Sequence, residues 1–191
     1  MKLSSYYSRP ASLSALLIAL FCSASANAYS ILDQSTLDLN LPPGWSLLDI
    51  TRNPGMIITN YTKKIPLTDL AESLVEAEIT KQKNQDPNAV IAEMMNQVNK
   101  QALAQHCEAL DVEAVPQNNG QFKVWRQTFQ CKRSKSGIIQ IYIDADPQTM
   151  FLFTYTSPYY PFTTEMRNTA DQLLINSLQV CYKGRHCASF H

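Results

Sequence analysis

The sequence predicts an α+β fold: an α/β/α sandwich around a mainly antiparallel sheet. Three observations predict it. A short β-meander with proline and glycine turns opens the folded region. Two apolar stripes at helical spacing follow, and then four period-two strands with one closing helix.

The strand reading begins at Leu37–Leu41, where Leu and polar residues alternate strictly. Pro42-Pro43-Gly44 turns the chain into a second strand from Trp45 to Ile50, and Asn53-Pro54-Gly55 turns it into a third from Met56 to Tyr61. The period then changes. Asp69 and Glu72 form a capping pair, and Leu67, Leu70, Leu74 and Ala77 fall at helical spacing, which predicts a helix over 69–83. Asp86-Pro87 starts a second helix that reaches about residue 105, with Ile91, Met94, Met95, Val98 and Ala102 on its buried face. Strands resume at 109. Ile139, Ile141 and Ile143 share one face of a strand over 138–144, and Phe151, Phe153 and Tyr155 share one face of the next, over 150–156. A C-terminal helix from about 161 to 178 completes the set, with Phe162, Met166, Ala170, Leu173, Leu174 and Ser177 on its buried side.

The first 28 residues have the layout of a secretory signal peptide. Lys2 and Arg9 precede an apolar run from Leu13 to Phe21, and small residues lead to Ala26-Asn27-Ala28. The run is shorter than the roughly 20 residues a membrane span requires. Cys22 ends it, but Phe21 is too large for the residue before a lipidated cysteine, so cleavage after Ala28 is the reading adopted. Removing 28 of 191 residues leaves 163, read as one α+β domain over 29–180 and a disulfide-closed tail over 181–191. Of the 16 basic side chains, Lys2 and Arg9 leave with the signal, so 14 face 16 acidic ones and the net charge is near −2. That balance gives nucleic acid no electrostatic attraction, and no later segment suits stable membrane insertion.

Four cysteines remain, Cys107, Cys131, Cys181 and Cys187, and an even number in an exported chain predicts disulfides. A hairpin centred on Asn119, within Gln117-Asn118-Asn119-Gly120, pairs residues whose numbers sum to 238, as those of Cys107 and Cys131 do. Cys181 and Cys187 enclose Tyr-Lys-Gly-Arg-His, a short loop that Gly184 lets turn.

The order of elements resembles the PsbP-like superfamily, which includes the DcrB-like proteins of the bacterial envelope. The resemblance lies in Leu41-Pro42-Pro43-Gly44-Trp45 entering a strand, in the helix pair near 69–105, and in Phe153-Thr154-Tyr155-Thr156-Ser157-Pro158 leading to a helix that closes in Asn176-Ser177-Leu178. It implies an accessory or binding protein without an active site, and some bacterial relatives look like chaperones for secreted toxins. The stapled hairpin and the cysteine tail depart from the family pattern.

Catalytic motifs are missing. No G-x-S-x-G elbow occurs, and phosphate loops need glycines that this chain does not have. His106 beside Cys107 and His186 beside Cys187 suggest thiolate–imidazole pairs, but both cysteines are expected to be disulfide halves. Cys181, His186, Cys187 and His191 are donors zinc accepts, though oxidation would remove two of them, and the spacing is not that of a structural site. Asp144-Ala145-Asp146 lacks the glycine and distant Glu of a calcium loop and reads as turn chemistry. Asp49, Asp111 and Glu113 lie on or near strands, without a spacing that makes any two converge. No metal or other cofactor is expected.

The segment that stands out is Ser157-Pro158-Tyr159-Tyr160-Pro161-Phe162. Two prolines stiffen a loop carrying Tyr159, Tyr160 and Phe162, which are predicted as protein-contacting anchors, with packing at the helix start as the competing role. The functional expectation is a non-catalytic periplasmic binding or accessory protein whose partner is another protein, either an envelope component or a toxin. One specific form is an immunity protein against a toxin delivered into the periplasm. The alternatives are a small hydrolase with a site assembled from scattered residues and a structural part of an envelope assembly, the latter marked by an unpaired strand edge or a large apolar patch.

Overall fold

The computed structural model describes residues 35–81, 85–119, 122–145, 148–182 and 186–189. The signal reading of 1–28 lies outside them. Among the described residues, ten strands and two helices run in the order β1 (Ser35–Leu39), β2 (Trp45–Asn53), β3 (Met56–Lys64), β4 (Ala71–Thr80), α1 (Pro87–Ala104), β5 (Cys107–Asn119), β6 (Phe122–Cys131), β7 (Ser136–Asp144), β8 (Thr149–Ser157), α2 (Thr164–Ser177), β9 (Leu178–Tyr182) and β10 (His186–Ser189). The class is α+β. Seven strands form one antiparallel sheet in the order β2-β3-β4-β8-β7-β6-β5, and β1, β9 and β10 form a second, three-stranded sheet.

The chain builds the large sheet as two meanders. β2, β3 and β4 fold back and forth. α1 then carries the chain over to the far edge, and β5 to β8 return until β8 pairs with β4. Each helix covers one face. On the α1 face, Ile91, Met94 and Met95 pack on Met56, Ile58, Val75, Ala77, Trp125, Tyr142, Met150 and Leu152. On the α2 face, Phe162 and Ala170 pack on Ile139, Ile141, Ile143, Phe151, Phe153, Tyr155 and Leu74.

Two sequence expectations are corrected. The helix over 69–83 is strand β4, so one central helix is present rather than two. The cause is tertiary. β4 sits between β3 and β8, and its residues alternate cleanly at period two. Val75, Ala77 and Ile79 meet the α1 face, while Leu74 meets the other. A strand covered on both faces can show apolar residues at helical intervals by coincidence. Glu72 accepts a hydrogen bond from Tyr155 instead of capping a helix. The second correction concerns β1, which pairs with β9 instead of joining the opening meander.

α1 forms as its sequence signals direct. The Asp86 carboxylate accepts from the backbone N–H of Asn88 at 3.0 Å, Pro87 occupies the first turn, and the five expected core residues are buried. The Cys107–Cys131 disulfide is present across β5 and β6, packed with Val98, Ala102, Phe129 and Ile138 under α1. Residue sums of 238 hold at its end of the hairpin, but register shifts after Ala109 and Glu113 bring the sum to 241 at the Asn119–Phe122 tip. Cys181 and Cys187 face each other in the β9–β10 register, and their side chains lie outside the described part.

Candidate functional site

Register gathers three proline-containing loops at one end of the large sheet. Trp45 opens β2 opposite Lys63 near the end of β3, the β3–β4 connection spans 65–70, and Thr156 of β8 stands opposite Ser73 near the start of β4. The loops are therefore Leu41-Pro42-Pro43-Gly44, Ile65-Pro66-Leu67-Thr68-Asp69-Leu70 and Ser157-Pro158-Tyr159-Tyr160-Pro161-Phe162.

The middle loop is held by its own hydrogen bonds. Ile65 N–H donates to the Leu70 carbonyl at 3.0 Å, the Thr68 hydroxyl donates to the Ile65 carbonyl at 3.0 Å, and Leu70 N–H donates to that hydroxyl at 3.1 Å. This fixed turn carries Leu67 fully exposed in the left-handed region, at φ 63°. A non-glycine residue there costs about 1–2 kcal/mol, and its apolar side chain gains nothing from the core in return. Leu70, Tyr159 and Tyr160 are exposed at the same end of the sheet. Phe162 departs from the predicted trio. It is 3% exposed and packs in the core over β7, so it belongs to the helix-start packing role and not to the contact surface.

Beneath the loops lies a polar and aromatic footing. The Tyr155 hydroxyl donates to Glu72 Oε1 at 2.7 Å, Glu72 Oε2 pairs with Lys63 Nζ at 3.2 Å, and the Trp45 ring tilts on Tyr155 at 6.4 Å between centroids. The Lys63 stem runs within 4 Å of the Cβ position of Gly44, whose φ of 99° turns the chain into β2. Burial, then the bond to Glu72 and its charge, push the Tyr155 phenol well above its ordinary range, so it is a fixed donor at neutral pH. Trp45 Nε1 is enclosed with no acceptor.

The remaining sequence candidates separate. Cys107 is bonded to Cys131, which leaves His106 no thiolate to activate. Asp144 pairs with the buried Lys81, and Asp146 lies outside the described residues. Asp49 on β2 accepts from Asn60 Nδ2 at 2.6 Å, while Asp111 sits on β5, the opposite edge of the sheet. The Glu113 side chain, the tail donors Cys181, His186 and Cys187, and His191 fall outside the described part. Among the described residues no group of three or more His, Cys, Asp or Glu side chains is placed to hold a metal.

Two groups were invisible in the sequence. Glu76 lies on the α2 face of β4 between Thr59 and Phe153, and burial followed by the charge of Glu78 pushes its carboxyl up to about 8. At that value the group holds its proton at pH 7. Asp171 of α2 pairs with Arg126 of β6. Asp171 Oδ1 and the Nε atoms of Arg126 and Arg167 are enclosed there without hydrogen-bond partners. A third feature is the edge strand β2, exposed along almost its whole length, with Leu47, Leu48 and Ile50 in the open.

No family model matches the chain, and no curated protein matches it. Among solved structures it is similar to LpqN of Mycobacterium tuberculosis, described as involved in cell envelope biogenesis. The TM-score is 0.52 at 13% identity, covering 82% of this chain and 88% of that one. At that identity, what the two chains share is an α+β fold.

Proposed function

We propose that this chain is a non-catalytic accessory protein of the bacterial envelope, exported by its N-terminal signal, that acts by protein–protein contact through the loop-bearing end of its sheet. The observation that carries this reading is Leu67, a fully exposed leucine held at positive φ by a hydrogen-bonded turn. Strain at an exposed apolar residue brings the fold no benefit, and such strain concentrates at working surfaces. Leu70, Tyr159 and Tyr160 extend the surface, and Pro158 and Pro161 stiffen the backbone that carries the two tyrosines, which lowers the entropy lost on binding. Envelope residence is supported by the buried disulfide, by the likeness in fold to LpqN, and by the signal-like first 28 residues. No described helix is long and apolar enough to cross a membrane. Membership of the PsbP-like superfamily and neutralisation of a periplasm-delivered toxin are the finer forms of this proposal.

The test is affinity capture from cross-linked envelope extract with the oxidised chain and a Tyr159→Ser/Tyr160→Ser variant. One protein held by the first and lost by the second, with both baits melting alike, supports the reading. Equal capture by both baits removes this surface from the proposal.

A second reading, a structural part of an envelope assembly, is favoured by the open β2 edge. The two readings are compatible, because they use different parts of the surface.

A further inference from the structure

Edge strands invite pairing, and folded proteins blunt them with charge, proline, bulges or cover. The two edges of the large sheet differ in this respect. β5 carries the disulfide and two register irregularities, and α1 packs beside it. β2 has one irregularity, between Leu47 and Asp49, and from Asp49 to Asn53 it pairs regularly with β3. Among the described residues no strand pairs with its outer side. It exposes Leu48 at 66%, Leu47 at 56% and Ile50 at 48%, against two charges, Asp49 and Arg52.

We infer that β2 pairs antiparallel with β2 of a second copy of this chain, across a twofold axis at Ile50, to join two seven-stranded sheets into one. The inference rests on the second reading above only in treating β2 as a working edge.

The sequence of β2 selects both the occupant and the register. A twofold axis normal to a sheet keeps the faces of the two copies continuous, so a residue at the axis meets itself. An axis at Asp49 would place two carboxylates opposite each other, and one at Arg52 two guanidiniums. Like charges directly opposite are destabilising. An axis at Leu48 falls in the irregular stretch. An axis at Thr51 sets Ile50 against Arg52 and leaves Leu48 opposite Pro54, which has no N–H to give. The axis at Ile50 places isoleucine on isoleucine and sets Asp49 against the Thr51 hydroxyl, all within the regular stretch from Asp49 to Asn53. That register brings exposed apolar groups together without opposing like charges.

The test measures the mass of the oxidised full chain by sedimentation at about 100 µM, a concentration suited to a small, weak interface. The expected result is a dimer for the native chain and a monomer for Ile50→Lys, whose ammonium groups would meet at the axis, with unchanged circular dichroism. Oxidation of Ile50→Cys should give a disulfide-linked dimer, and Thr51→Cys should not. A native monomer at that concentration, or cross-linking through Thr51→Cys in place of Ile50→Cys, overturns the inference. Sedimentation reads copies of this chain alone, so such a failure leaves partner capture through Tyr159 and Tyr160 untouched.

Discussion

The ring of Phe162 occupies the space where a side chain at Gly137 would stand: a Cβ built on that glycine overlaps three of the ring's atoms. Gly137, the second residue of β7, stands opposite Ser157, so the ring seals the end of β7 and sets where the loop after β8 turns into α2. Gly137→Ala should therefore cost about 1–3 kcal/mol, the usual range for overpacking a filled core. In a Phe162→Ala background, itself costing about 3–5 kcal/mol, the added alanine should cost close to nothing. Urea melts of the four proteins complete the cycle, and additive losses would show that the two residues do not compete for one space.

Glu76 gives stability a defined pH dependence. Its carboxyl has an ordinary value of 4.5 and a folded value of about 8. Below 4.5 both states hold the proton and the contribution is complete. Between 4.5 and about 8 the unfolded chain sheds a proton that the folded chain keeps, so stability falls as pH rises. The slope for one proton is at most about 1.4 kcal/mol per pH unit. Denaturant unfolding from pH 5 to 9 should show the native chain losing stability relative to Glu76→Gln. Parallel profiles for the two proteins would contradict the assignment.

The disulfide should matter thermodynamically. It links residues 24 apart and lies in a buried cluster with Val98, Ala102, Phe129 and Ile138. Cys107→Ala/Cys131→Ala should lose about 2–4 kcal/mol and keep its sheet signal in the far ultraviolet. A loss below about 0.5 kcal/mol would mean that the β5–β6 register needs no staple, since surface changes usually stay within that range.

At Leu67, stability and contact should move in opposite directions. Leu67→Gly relieves the positive φ, so the melting temperature should hold or rise, by up to about 1 kcal/mol in stability. Capture of the envelope partner should nevertheless weaken. A variant that captures as well as the native chain would show the exposed leucine to be incidental.

Much of this fold was legible because local chemistry and tertiary role agreed. Asp86-Pro87 starts a helix by capping alone, and the Ile139/Ile141/Ile143 and Phe151/Phe153/Tyr155 faces are core faces in the structure. Cys107 and Cys131 were paired correctly although the hairpin tip is displaced, because the irregularities lie beyond Ala109, outside the cysteine end. What failed was the part decided by neighbours distant in sequence. β4 reads as a helix until β8, more than sixty residues later, is known to lie against it. The error hid Leu67 and Leu70, which a helix would have absorbed and a turn presents. Tyr159 and Tyr160 are exposed, whereas Phe162, named with them from proline spacing, takes the packing role, because its ring fills the space that Gly137 leaves. Glu76 and the Arg126–Asp171 pair leave no mark in sequence, since each depends on strands or helices brought together late.

The join between β4 and β8 lies inside the sheet, and it unites the two meanders. Until Thr149–Ser157 arrives, β4 is itself an open edge, with Val75 and Ala77 on one side and Leu74 on the other. A chain emerging from its N-terminus therefore holds a sticky half-sheet for as long as the next seventy or so residues take to appear. Fragments that stop short of β8 should aggregate rather than fold as a smaller domain, and any helper this protein needs during its maturation would have that half-sheet to shield.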